Sequence, residues 1–320
     1  MEITPAIQER LELLEKKFKN SGQDMLSYLD GLLYDRYLTY WDYIHLDTLL
    51  SLQNTRTAIP DETIFITYHQ ITELYFKLII HEIEQVINRE QLTADYFEEK
   101  VRRMNRYFET LIHSFTVMIQ GMDKDQFLKY RNSLLPASGF QSAQYRMIEI
   151  YSTNLNNLTF TEERDEHRDS KDLHQLYDRI YWKRGATDST TGEKTLTLRQ
   201  FEERYTARFL RIATETQETN LHKRFLQLKE EGLATDTLIQ ELRKFDVNAN
   251  VNWLLMHMGA AFRYLTRGKL TTDATGGTNW KQFLPPSFQK VHFFPSIWSE
   301  DELRDWGKEW VEHKFNRDGQ

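Results

Sequence analysis

Ten histidines and no cysteine set the chemical repertoire of this 320-residue chain. Without a thiol, disulfides, thiolate zinc, cysteine nucleophiles and iron–sulfur clusters are excluded, so a bound metal must take His, carboxylate, Tyr or Met. Two histidines stand in settings that could carry chemistry. His69 follows Phe65 by four residues, so aromatic ring and imidazole project from one helix face, one turn apart. Thr72 and Glu73 continue that face. His257 is preceded by Trp253 and followed by Gly259, Ala260 and Ala261 on an otherwise apolar segment. Small residues beside an imidazole let something wide and flat approach the helix closely. Each pattern also has a plain reading as core filling, because a lone buried histidine is usually satisfied structurally.

The absences narrow the chemistry. A carboxylate-bridged diiron bundle wants Glu-x-x-His on two helices, and the chain has none. His81-Glu82 is followed by Ile-Glu-Gln, so the zinc pattern His-Glu-x-x-His fails too. There is no Gly-x-Ser-x-Gly and no phosphate-cradling glycine loop. A haem site asks for less: one axial ligand, an apolar slot and distal groups that control access. Among the histidines, His257 is the best candidate for that ligand.

Long helices must position these residues. Apolar residues at Ile64, Tyr68, Ile71, Tyr75, Leu78, Ile79, Ile83, Val86 and Ile87 keep the helical period from Asp61 to about Asn88, with Asp61 as N-cap. Thr4-Pro5 opens an amphipathic helix that ends near Ser21-Gly22. An aromatic cluster over 34–43 leads into a helical stretch at 46–53. Thr93 or Asp95 opens a helix with the stripe Phe97, Val101, Met104, Phe108, Leu111, Phe115 and Met118, closed by Gly121 at C′. A short helix holding Phe127, Tyr130 and Arg131 stops before Pro136. Helices are expected again over 140–155, 198–216, 221–245 and 248–267, with a polar loop over 271–278. Residues 160–198 are the most polar part and read as an excursion from the main bundle. Glu73 and Lys77 read as a plain i, i+4 pair.

Composition agrees with a helical fold. Hydrophobic residues make up 40% and charged residues 28%, and only 13 Gly and 6 Pro interrupt the chain. The expectation is an all-α protein, one large helical-bundle domain over 1–320 with little or no β structure. A net charge of −7 gives no support to nucleic-acid binding. No apolar run reaches the length of a bilayer span, and the N-terminus lacks the pattern of a signal peptide, so a soluble, cytoplasmic protein is expected.

Four blocks, in order, carry a resemblance: Tyr40-Trp-Asp-Tyr43-Ile-His-Leu-Asp-Thr-Leu-Leu-Ser-Leu-Gln53; Phe65-Ile-Thr-Tyr-His69-Gln-Ile-Thr-Glu73-Leu-Tyr-Phe-Lys77; Arg131 with Ser138-Gly-Phe-Gln-Ser-Ala-Gln-Tyr-Arg146; and His257 upstream of Thr275-Gly-Gly-Thr278. Together they resemble the tryptophan 2,3-dioxygenase family. The resemblance implies a haem b enzyme that uses O2 to cleave the indole C2–C3 bond of L-tryptophan, giving N-formyl-L-kynurenine. It implies His257 as proximal iron ligand and His69 as the distal histidine that accepts the indole N–H. Phe65 would pack on the indole, Arg131 pair with the substrate carboxylate, and Thr275 hold the amino-acid end. Ser138 and Gly139 would form the pocket edge, and Tyr40, Tyr43 and Ile44 would reach the pocket of a neighbouring subunit in a homo-oligomer, typically a tetramer.

Departures bear on specificity. Phe127 stands where many members carry a tyrosine, so a hydroxyl near the pocket is lost. Ile44 replaces a more usual leucine. The chain between His257 and Thr275 is longer than in compact bacterial members, which leaves Thr271, Thr272 and Thr278 as neighbours able to take the role of Thr275. Two other readings stand beside the main one: a related haem enzyme acting on a substituted tryptophan or other aromatic amino acid, and a haem-binding sensor without turnover.

Overall fold

The computed structural model describes residues 3–20, 22, 24–34, 38–134, 139–187, 191–267, 270–271 and 285–308. The chain forms two compact units, residues 1–53 and 54–320. In the first, α1 (Pro5–Asn20) and α2 (Met25–Tyr34) are followed by the short α3 (Tyr40–Tyr43) and α4 (Leu46–Leu50). The amide of Ile7 donates to the Thr4 hydroxyl at 3.4 Å, the cap expected there.

The second unit is built on α5 (Asp61–Ile87), which packs against α6 (Ala94–Ser114) and α9 (Ala143–Ser152). Phe76, Ile79, Ile83 and Val86 of α5 meet Phe97, Val101, Met104, Phe108 and Leu111 of α6 in the buried core. Most of the apolar stripe read in sequence is buried, including Tyr68, Ile79, Ile83, Val86 and Ile87. Thr72 and Phe76 lie inside, whereas Ile71, Leu74 and Leu78 are exposed. Asp61 is the first residue of α5 rather than its cap. Its carboxylate accepts the amide of Asp123 at 2.6 Å, and the buried Glu62 gathers the amides of Arg56 and Thr57 at 2.7 and 2.8 Å. The loop into α5 is thus tied down by carboxylates inside the first turn.

Several helices expected to be continuous are split. The stretch after Thr93 gives α6 and α7 (Thr116–Gln120), and Gly121 is not left-handed. Its glycine is required by close approach instead, since a Cβ would sit 2.5 Å from the Val117 carbonyl oxygen. The 221–245 stretch gives α13 (Leu221–Glu230) and α14 (Asp236–Val247), separated at Gly232 with φ +72°. Between α7 and α13 in the chain lie α8 (Lys124–Tyr130), α9, α10 (Leu173–Asp178), α11 (Tyr181–Arg184) and α12 (Leu196–Glu215). The 248–267 helix begins as a π turn at Asn248–Asn252, continues as α15 (Trp253–Leu265) and ends in a hairpin of β1 (Thr266–Arg267) with β2 (Leu270–Thr271). The all-α expectation therefore holds, with two two-residue strands among the described residues.

The polar stretch 160–198 belongs to the second unit. Arg146 of α9 donates to Glu149 at 3.0 Å and to the Tyr181 hydroxyl at 2.9 Å, and the Tyr181 hydroxyl donates to Glu149. Burial pushes the Glu149 carboxyl up, and Arg146 opposes that push. The C-terminal segment is pinned at three places. Arg164 donates to the Lys290 carbonyl, His222 meets the Ser296 hydroxyl at 3.0 Å, and buried Asp246 accepts the amides of Phe293 and Phe294.

Candidate active site

α5 and α15 bring His69 within electrostatic reach of His257, whose pKa it helps to lower. A path of rings joins them: His69 to Tyr68 at 6.4 Å, Tyr68 to Phe115 at 5.7 Å, and Phe115 to His257 at 4.8 Å between centroids. Phe65 lies 4.1 Å from His69, as their four-residue spacing requires. Phe127 and Tyr130 of α8 stand 6.1 and 5.9 Å from Phe65. Arg131 follows directly at the start of a 3-10 turn, Arg131–Leu134, and is only 6% exposed.

The two imidazoles share one device. His69 Nδ1 lies 2.7 Å from the Phe65 carbonyl oxygen and His257 Nδ1 lies 3.0 Å from that of Trp253. A carbonyl only accepts, so each Nδ1 carries the proton and each Nε2 presents a lone pair. Burial holds both pKa values below the ordinary histidine range, that of His257 at about 4, where His69 adds to the push and the Trp253 carbonyl opposes it. Both rings are therefore neutral at physiological pH. His69 keeps exposed surface on α5. His257, Gly259, Ala260 and Ala261 are likewise only partly buried. A Cβ on Gly259 would make just one ordinary contact, 3.6 Å to Ile119, so the glycine leaves open width on that face.

Among the described residues no group of three or more His or carboxylate side chains could hold a bare metal ion. A lone neutral imidazole on a helix with small neighbours is instead the donor set that suits a macrocycle bringing its own four ligands. The site fits haem, with His257 as the single protein ligand. Gln144 of α9 was not singled out by sequence, yet its amide donates to both the backbone and the carboxylate of Glu73 at 2.8 Å, fastening α9 to the His69 helix. Glu73 spends its carboxylate there rather than on Lys77. Phe115 and Tyr68 were read only as stripe residues, and an apolar stripe carries no signal that a ring will also touch a ligand.

Other predicted positions fall elsewhere. Phe127 is buried and edges Tyr264 at 4.7 Å, with no hydroxyl of its own. The nearby Tyr264 hydroxyl donates to the Met118 carbonyl at 2.5 Å, so it does not replace the one lost at Phe127. Gly139 opens the 3-10 turn Gly139–Gln141, with open space where a Cβ would lie. Tyr40, Tyr43 and Ile44 belong to the first unit, where both tyrosines are exposed. Ser138 and Thr275, with the alternatives Thr272 and Thr278, lie outside the described residues. A surface depression of about 550 Å³, lined by residues including Glu109, His113, Lys244 and Trp298, contains none of the predicted site residues.

Among the described residues the fold is helical, and the site brings two neutral imidazoles near one another. The tryptophan 2,3-dioxygenase family profile matches residues 33–278, and the chain belongs to that family. It is 38% identical over 143 residues to the tryptophan 2,3-dioxygenase of Ruegeria sp. (strain TM1040), covering 43% of this chain and 48% of that protein. The enzyme of the same name from Polaromonas naphthalenivorans (strain CJ2) is 37% identical over 124 residues, 38% of this chain and 44% of its own length. That from Sorangium cellulosum (strain So ce56) is 40% identical over 124 residues, 35% and 30% respectively. The chain thus matches about half or less of the length of these curated relatives. No described helix is long and apolar enough to cross a membrane.

Proposed function

We propose that this chain is a haem-dependent dioxygenase that opens the indole C2–C3 bond of L-tryptophan with O2 to give N-formyl-L-kynurenine. The observation that carries the reading is the pairing of two neutral imidazoles, each with a free Nε2, one beside an aromatic wall and the other beside Gly259-Ala260-Ala261. His257 Nε2 would hold the iron of haem b. Bound haem supplies a ferrous centre that takes up O2 and leads both its atoms into the indole double bond.

The remaining groups bind and orient. His69 Nε2 accepts the indole N–H, and Phe65 packs on the ring. Arg131 pairs with the substrate carboxylate through its planar fork. Holding both ends of the substrate fixes the C2–C3 bond over the oxygen site. An indole N–H is a poor acid, so His69 acts by orientation and by its dipole rather than as an obligatory base. Thr275 and Ser138 with Gly139 complete the amino-acid end in this reading. Tyr40, Tyr43 and Ile44 come from a neighbouring subunit of a cytoplasmic homotetramer, and residues 1–53 and 54–320 serve one catalytic domain.

The test is a hemin titration followed by turnover of L-tryptophan by the ferrous protein in air. The wild type should gain a Soret band and produce formylkynurenine. His257→Ala should lose haem, whereas His69→Ala should keep haem and lose rate. Haem uptake that survives His257→Ala but not His69→Ala would reverse the two assignments. A protein that takes up no haem would end the reading.

A further inference from the structure

The rod that carries His257 is irregular where regularity would be cheapest. α14 runs into the π turn Asn248–Asn252, which runs without a break into α15. A π turn closes i→i+5 and so holds one residue more than an α turn, which carries everything beyond it about 100° around the axis. Its sequence is Asn-Ala-Asn-Val-Asn. Asparagine is a poor helix residue because its amide competes for backbone partners. Three of them in five buried or half-buried positions break the local rule, as functional or strained sites do.

Each amide is committed. Asn248 donates to Asn105 Oδ1 of α6 at 3.2 Å, and Asn105 in turn donates to the carbonyl and carboxylate of Glu241 at 3.0 and 2.8 Å. Asn252 donates to Asn248 Oδ1 at 3.0 Å, extending the ladder toward α15. Asn250 donates to Asp246 at 2.8 Å. The same buried carboxylate accepts Phe293 N–H at 2.7 Å, Phe294 N–H at 3.2 Å and Trp298 Nε1–H at 3.0 Å. The turn is thereby tethered to α6 by one set of amides and to the C-terminal segment by the other. Trp253, the first residue past it, supplies the carbonyl that takes the His257 Nδ1 proton, and its ring stands 4.5 Å from the imidazole.

We infer that the π turn, held by the Asn105–Asn248–Asn252 ladder and the Asp246–Asn250 bond, is the device that aims His257. It fixes the rotation of α15 so that Nε2 faces the haem slot, and Asn105 and Asn248 are positioning residues. The inference rests on the haem reading of His257.

Three variants test it, each read by hemin titration and by the iron–histidine stretching band of the ferrous protein. Asn248→Ala with Asn250→Ala favours a plain α turn at constant length, which should swing His257 about 100° and abolish the iron–histidine band. Asn105→Leu with Asn248→Leu removes both partners of a buried bond, at a stability cost set by the Asn252 amide and the Glu241 oxygens they leave behind. It should keep a helical, cooperatively melting protein yet shift the band and weaken haem binding by about 10–100-fold. Asn252→Leu, at the half-buried end of the ladder, serves if the other two do not fold and should shift the band less. A folded variant with the wild-type band and wild-type haem affinity would overturn the inference. Wild-type protein that binds haem no better than His257→Ala would instead overturn the reading beneath it.

Discussion

Replacing Arg131 by methionine isolates the carboxylate contact. Arg131 is 6% exposed, beside the fully buried Tyr130 and near-buried Phe127, so its partner would be met in a dry setting. Methionine keeps much of the apolar stem and removes the charged fork. A hydrogen bond to a charged group is worth about 1.5–3 kcal/mol. That corresponds to a loss of about 10–150-fold in binding. The burial of Arg131 favours the upper half of that range. The assay compares L-tryptophan with tryptamine, which lacks only the carboxylate, measuring kcat/KM and dissociation constants for wild type and Arg131→Met. Wild type should discriminate strongly between the two, and the variant should treat them nearly alike. Equal losses for both substrates would refute the reasoning and assign Arg131 a role in folding.

Two further outcomes concern stability. Arg146→Met leaves Glu149 buried beside Tyr181 without its cation and should cost about 3–5 kcal/mol, whereas Arg146→Met with Glu149→Leu should recover most of that loss in thermal or urea unfolding. Acid should loosen the C-terminal segment. Burial holds His222 at about 4 and His292 at about 3, with Lys223 and Lys229 adding to the first shift and Arg164 to the second. A depressed histidine pKa leaves stability intact above about pH 6.5 and removes it as pH falls toward the folded value, here by about 2 kcal/mol per ring at pH 5. Asp246 works in the opposite sense, because burial raises it to about 6 and protonation relieves a penalty on the way down. With His257, held at about 4, included, the net loss between pH 7.5 and 5 is about 4–5 kcal/mol, read from urea midpoints at the two pH values. His222→Gln with His292→Gln should flatten that dependence.

The helical class of the fold was legible in sequence, and so was the spacing of residues within a single helix. Fixed spacing within one helix carries through to space, so Phe65 and His69 meet as their four-residue separation requires. The pairing of His69 with His257 across two helices has no local signal, and only the family resemblance linked them. Helix interruptions were missed because their causes are tertiary. The asparagines of the π turn find partners on α6 and, through Asp246, on the C-terminal segment. Two members of the α5 stripe, Ile71 and Leu78, proved exposed, while Thr72 took an inner place. Thr72, buried, hides its hydroxyl on the Tyr68 carbonyl at 3.0 Å and so counts as an apolar residue in packing.

The acceptor chosen for His257 Nδ1 also bears on electron supply. A carboxylate in that position would draw the proton away and make the imidazole approach an anion, a strong donor that favours ferric iron. The Trp253 carbonyl is a weaker acceptor that leaves the ring neutral. If His257 holds haem iron as proposed, so neutral a ligand would favour a higher reduction potential than an imidazolate would.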